Sequence, residues 1–142
     1  MDVIWDIKSY PQNLPSGHIS ESGEKIHTNM THKTAWQIID LPFLEPRYYE
    51  FELIKGDNRI DWFNTDNSII TQKKMIISPV NIGSWIISQK EKGYVLTYIL
   101  LTDPGGVVPS WIVKKAQLRN LPKMLMEVES AAKKLNTNII YE

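Results

Sequence analysis

Between Lys25 and Leu101 apolar and polar residues alternate in short runs broken by turn signals, which is the period-two pattern of an antiparallel sheet. The alternation is cleanest where Tyr49, Phe51 and Leu53 oppose Tyr48, Glu50 and Glu52, and it stops at Lys55-Gly56-Asp57-Asn58, a sequence suited to a hairpin turn. Arg59 to Asn64 returns with Ile60 and Trp62 on one side and Asp61 and Phe63 on the other. The polar turn Thr65-Asp66-Asn67-Ser68 follows, then a further strand over Thr71 to Ser78. Trp85 to Gln89 and Tyr94 to Thr102 flank Lys90-Glu91-Lys92-Gly93, a hairpin with glycine where a positive φ is needed. Because Tyr94 to Leu101 is apolar on both faces, it predicts a strand inside the sheet, covered on each side or open on one face to something apolar. After Asp103-Pro104-Gly105-Gly106 the period changes: Leu118, Leu121, Leu125, Val128, Ala132 and Leu135 recur three and four residues apart, the stripe of an amphipathic helix packed on the sheet and kinked at Pro122. At the front, Val3 to Tyr10 predicts one or two helical turns stopped by Pro11.

Length changes this picture little: 142 residues make one domain over 1–142, and 42% hydrophobic residues are enough for a packed core. Charge removes some partners. Sixteen basic residues balance sixteen acidic ones, so no net field draws the chain to nucleic acid or to an anionic membrane. With no cysteine there is no disulfide framework, thiolate metal site or cysteine nucleophile. The first twenty residues hold no apolar block of the kind an export signal needs, and no apolar run approaches the ~20 residues of a spanning helix. The expected location is the cytoplasm, where the Asn29-Met30-Thr31 sequon stays unmodified.

Candidate chemistry is sparse. His18, His27 and His32 form no metal-spaced set, and there is no nucleophile elbow, Walker loop or dinucleotide fingerprint. Asp61, Asp66 and Asp103 read as turn formers or outward positions, with Asp103 accepting hydrogen bonds from the turn amides that follow it. Lys92 to Tyr98 lacks the internal glycine of an RNA-binding aromatic strand. No catalytic residue, metal or cofactor is expected.

The segment Thr97 to Leu135 is the most distinctive. Its Asp103-Pro104-Gly105-Gly106, its Pro109-Ser110-Trp111-Ile112-Val113 and the Leu121-Pro122 inside the helix resemble the closing strand, turn and C-terminal helix of START domains, the steroidogenic acute regulatory protein-related lipid transfer family. Leu41-Pro42 through Pro46-Arg47-Tyr48-Tyr49 and Gly83-Ser84-Trp85-Ile86-Ile87 resemble two upstream segments of the same family. The resemblance implies an α+β helix-grip fold of the START-like and Bet v 1-like superfamily, a curved antiparallel sheet wrapped around a long C-terminal helix, without the family's opening helix and first strands. It also implies a hydrophobic cavity that binds a lipid, sterol or similar apolar molecule, with its transfer as a further expectation. Trp36, Tyr49, Phe51, Leu53, Trp62, Leu96, Tyr98 and Leu100 are expected to line it, Ile112, Leu118, Leu121 and Leu125 to roof it, and the turn Asp103, Pro104, Gly105, Gly106 to gate it. Where some family members pair a buried acid with an arginine, this chain has Thr34 and Leu53, so a polar head group lacks an ionic partner there. The family's aspartate after the arginine is Tyr48, and Arg47 is read as structural. The implied partners are a lipid or sterol-like molecule, transiently a membrane, and a second copy through an open sheet edge, with no nucleic acid. The alternatives are a cyclase-like or hydrolase-like enzyme on the same scaffold and a non-catalytic interaction module.

Overall fold

The computed structural model describes residues 1–65 and 75–138. β-Branched and aromatic runs separated by short turns form seven strands: β1 (Ile19–Asn29), β2 (His32–Ile39), β3 (Arg47–Lys55), β4 (Arg59–Asn64), β5 (Ile76–Ile77), β6 (Val80–Lys90) and β7 (Gly93–Asp103). They make one curved sheet in the order β1-β2-β3-β4-β6-β7. Three register shifts between β1 and β2 bend that end of the sheet, as bulges do. The strand expected over Thr71 to Ser78 is found as β5, two residues long, and residues 71–74 lie outside the described residues, as does the expected turn beyond Thr65. β5 runs parallel to β3, pairing Arg47 with Ile76 and Tyr48 with Ile77 on the edge that β4 leaves free. Among the described residues the sheet is therefore antiparallel except at this short ladder.

The expectation for Tyr94 to Leu101 needs correction. β7 is the terminal strand of the sheet, with no strand on its second edge among the described residues. Leu96, Tyr98 and Leu100 turn inward and are half-buried, whereas Val95, Ile99 and Leu101 face out, Leu101 with 64% of its surface exposed. The inward face opens on the apolar cavity through Tyr98 and Leu100, but the strand is at the sheet's end and its outer apolar residues are exposed.

The C-terminal helix α3 (Ser110–Asn138) continues through Pro122 as one element. Its inward face follows the middle of the leucine stripe and leaves out the two ends. Met124 and Val128 are its buried positions, whereas Leu118 is 70% exposed and Leu135 also faces water. Leu121, Leu125 and Ala132 of the stripe are half-buried against the same core.

Before the sheet, the chain folds into α1 (Asp2–Trp5), a 3₁₀ turn, α2 (Tyr10–Asn13) and a second 3₁₀ turn. Pro11 does not stop a helix here. It sits at the first turn of α2, where a missing N–H costs nothing. Val3, Ile4, Ile7, Tyr10 and Leu14 are all buried in the same core as the sheet. Tyr10 Oη donates to Ile4 O at 2.6 Å, and Glu127 on α3 accepts from Ser16 N and Oγ at 3.1 and 2.6 Å, tying this segment to the helix.

Candidate functional site

Strand parity decides which side chains face the helix. The register sets Gln37 opposite Tyr49, and Leu53, Trp62, Gly83 and Leu100 in line across β3, β4, β6 and β7. Gly83 makes room for the Trp62 indole, since a Cβ there would stand 2.3 Å from Trp62 Cζ2 and 2.3 Å from Ile99 O. Trp62 stacks on Tyr98 with ring centroids 5.4 Å apart and donates from Nε1 to Asn81 Oδ1 at 3.2 Å, and Trp85 meets Tyr98 at 4.3 Å.

Between this aromatic wall and α3 lies a cavity of about 200 Å³. Tyr49, Phe51, Leu53, Trp62, Tyr98 and Leu100 line it from the sheet, and Ile112, Ala116, Leu121 and Met124 from the helix. Ile7, Tyr10 and Leu14 close it from the N-terminal segment. No Asp, Glu or Lys of the described residues is among its walls. Burial pushes the phenols of Tyr10, Tyr49 and Tyr98 above their ordinary value, so they remain protonated near neutral pH.

Eight of the twelve expected lining residues are brought together here, and four are not. Trp36 is on the opposite face of β2. Its neighbours Ala35 and Gln37 point inward, so Trp36 must point out, where it stacks on Tyr48 at 6.2 Å. That pair, with the Tyr48 Oη to Glu50 Oε2 bond of 2.8 Å, explains why the outer face of β3 is buried despite its polar pattern. Leu118 faces solvent, and Leu96 and Leu125 pack on the core without reaching the cavity.

Of the expected gate turn, Pro104 lines the cavity and Asp103, Gly105 and Gly106 do not. Asp103 Oδ1 accepts from Gly105 N at 2.9 Å. Both glycines have left-handed backbones, φ 69° and 70°, and lie against Ile76, which a Cβ on Gly106 would approach to 2.7 Å. The turn is packed on β5.

Beyond the N-terminal segment, Ala116 and Met124, the residues missed in the sequence include polar ones. Arg47, read there as structural, is 2% exposed and forms part of the cavity wall. Its position two residues before Tyr49 on the inward face of β3 was the available signal. It donates from Nη1 to Glu45 O, while its Nε and the Oε1 of Gln37, also in the wall, are buried with no partner.

Outside the cavity, the loop Leu41 to Pro46 faces the first turns of α3 across a groove lined by Pro42, Trp111, Lys115, Arg119 and Lys123. At its rim Phe43 is fully exposed with a left-handed backbone, φ 66°, an expensive conformation for an aromatic residue. Val107 is fully exposed and Trp111 is 65% exposed.

No protein-family model and no curated sequence matches the chain. Solved structures do. A STAR-related lipid transfer protein from Xanthomonas axonopodis superposes with a TM-score of 0.78 at 17% identity, over 93% of this chain and 76% of that one. Human STARD10 gives 0.78 at 20% identity over 94% of this chain, which spans 56% of the STARD10 chain. The Zhui aromatase/cyclase of a Streptomyces species gives 0.66 at 14% identity, over 94% of this chain and 84% of that one. With its curved sheet closed by one long C-terminal helix, the chain therefore has the helix-grip fold of the START domains, a fold it shares with lipid transfer proteins and cyclases alike.

Proposed function

We propose that this chain is a non-catalytic binder and carrier of an apolar molecule, a lipid or sterol-like ligand held between the sheet and α3. The observation that carries this reading is the cavity itself, walled by aromatic and aliphatic side chains of the sheet, helix and N-terminal segment. Each methylene moved from water into such a space contributes about 0.8 kcal/mol, so one acyl chain suffices for tight binding. The cyclase-like alternative needs an acid–base pair in the cavity. Against it stands the lack, among the described residues, of any wall carboxylate to pair with the wall imidazole, His18.

The test is mass spectrometry of the protein under native conditions, before and after organic extraction. An apolar molecule is expected to co-purify with the native chain. Filling the space from the helix side with Ala116→Phe, or from the sheet side with Leu53→Trp, is expected to abolish its retention while a cooperative thermal transition persists. Equal retention by folded variants would place the ligand elsewhere, and turnover of an aromatic polyketide substrate would favour the enzyme.

The same reading includes transient membrane contact at the groove rim. Trp111 lines the groove with Lys115, Arg119 and Lys123, and Phe43, next in the chain to Pro42 of the same groove, is fully exposed, so apolar side chains could enter a lipid surface while the cations meet its phosphates. The double variant Phe43→Ser, Trp111→Ser is expected to slow transfer of a fluorescent lipid between vesicles about tenfold or more, since each buried aromatic ring contributes about 1.5–3 kcal/mol. An unchanged rate would remove the rim from the mechanism. The uncovered edge of β7 suits pairing with a second copy, and sedimentation of the purified chain as a monomer at high concentration would exclude it.

A further inference from the structure

The geometry points to a single-chain amphiphile with an oxyanionic end, carboxylate or phosphate, as the molecule this cavity takes, its anionic oxygen on Arg47 Nε and its polar edge on Gln37. The inference rests on the apolar-ligand reading above and specifies its head group.

Arg47 is the starting point. A guanidinium cannot shed its charge, and at 2% exposure it cannot hydrate it freely. Buried charges are ordinarily paired, yet Arg47 belongs to none of the ion pairs among the described residues, and no carboxylate of those residues lies in the cavity wall. One bond is made, from Nη1 to the Glu45 carbonyl, which holds the side chain but leaves the charge uncompensated. Nε is left with no acceptor.

Gln37 is the second, independent orphan. It is on β2, opposite Tyr49 and diagonal to Arg47, which itself pairs with Ile39, so both residues belong to one inward patch. Its Oε1 is buried without a donor. A water could satisfy a neutral amide, but a water does not neutralise the guanidinium beside it. An oxyanion compensates the guanidinium, one oxygen accepting a charge-assisted bond from Nε, and a protonated oxygen of the same head group, such as a hydrogen phosphate carries, donates to Gln37 Oε1.

Size selects the rest of the molecule. About 200 Å³ is below the ~300–1,000 Å³ of sites for drug-sized ligands, too small for two chains and for the whole of a long one, whose far end must leave by the open side of the cavity. The remaining wall, from Phe51 and Leu53 to Trp62 and Tyr98, offers that chain apolar contact.

The test uses the delipidated full chain, with quenching of its tryptophans by hexadecanoate, hexadecyl phosphate, hexadecanol and inorganic phosphate. Both anionic amphiphiles are expected to bind about tenfold or more tightly than hexadecanol, the scale of one charge-assisted hydrogen bond. Arg47→Met is expected to abolish that preference and Arg47→Lys to restore part of it, and Gln37→Leu is expected to weaken hexadecyl phosphate more than hexadecanoate, which keeps the inference testable if Arg47→Met fails to fold. Hexadecanol binding as tightly as the anions, or substitutions that weaken all three amphiphiles equally, would overturn this inference while leaving the carrier reading intact. Inorganic phosphate binding as tightly as hexadecyl phosphate would mark a free-anion site and overturn the amphiphile. Failure of every amphiphile, hexadecanol included, would overturn the carrier reading itself.

Discussion

Gly83→Ala is expected to destabilise the protein by about 3 kcal/mol or more, at the upper end of what overpacking costs, and to lose ligand retention with it. The added Cβ would be 2.3 Å from the Ile99 carbonyl oxygen and 2.3 Å from the Trp62 ring, well inside any tolerable contact. Neither neighbour is free to move. Ile99 is fixed in the β6–β7 ladder opposite Ser84, and Trp62 is held by its bond to Asn81 and its stack on Tyr98. Relief must come from separating β6 from β7 or from expelling the indole into the cavity. Urea unfolding reads the first outcome and loss of the co-purifying molecule reads the second. A midpoint within about 0.5 kcal/mol of the native chain would mean that Trp62 does not lie over Gly83.

Glu24→Gln should cost about 3 kcal/mol, and the loss should depend on pH. Lys33 is 1% exposed on the inward face of β2, and its ammonium donates to Glu24 Oε1 at 2.5 Å and to the Trp5 carbonyl while lying 4.1 Å from the Trp5 ring centroid. Removing the carboxylate leaves the charge with a carbonyl and a ring but no counter-ion. Partial burial pushes the Glu24 carboxyl up, but the Lys33 hydrogen bond and charge, helped by Lys8 and His27, outweigh it and hold the group below its ordinary value. A carboxyl lowered in the folded state stabilises it fully above the unfolded pKa, and that stability is lost as pH falls through the native value. The gap between the native chain and Glu24→Gln should therefore be full at neutral pH and narrow from about pH 4.3 downward. Thermal unfolding is the measurement, with a drop of roughly 10 °C expected at pH 7. Pairing Glu24→Leu with Lys33→Met should recover part of the loss, because an apolar pair leaves no orphaned charge. A gap that is constant from neutral to acidic pH would show that the ion pair contributes nothing.

Much of the fold was legible from the chain because its periodicities are strong and local. Tyr49, Phe51 and Leu53 announce an inward face two residues at a time, and they line the cavity. Val3, Ile4, Ile7, Tyr10 and Leu14 were less legible. Their spacing of three and four is a helical stripe, but Pro11 and the short, broken elements obscured it, and only their burial shows that the segment closes one end of the site. Trp36 shows the opposite error. Size and apolarity suggested a wall residue, but a strand's parity is absolute, and Trp36 is one position out of step with Ala35 and Gln37.

What the sequence determined by itself was the alternation that makes the strands, the stripe that makes α3 and the Asp103 to Gly106 turn between them, because each depends on backbone and side-chain preferences within a few residues. Tertiary structure decided which strand is the sheet's edge, which face of α3 looks inward, and that Arg47 and Gln37 meet in one apolar wall with polar atoms unpaired. Those are outcomes of register and packing between residues far apart in the chain, where a residue's role is set by what it is brought against.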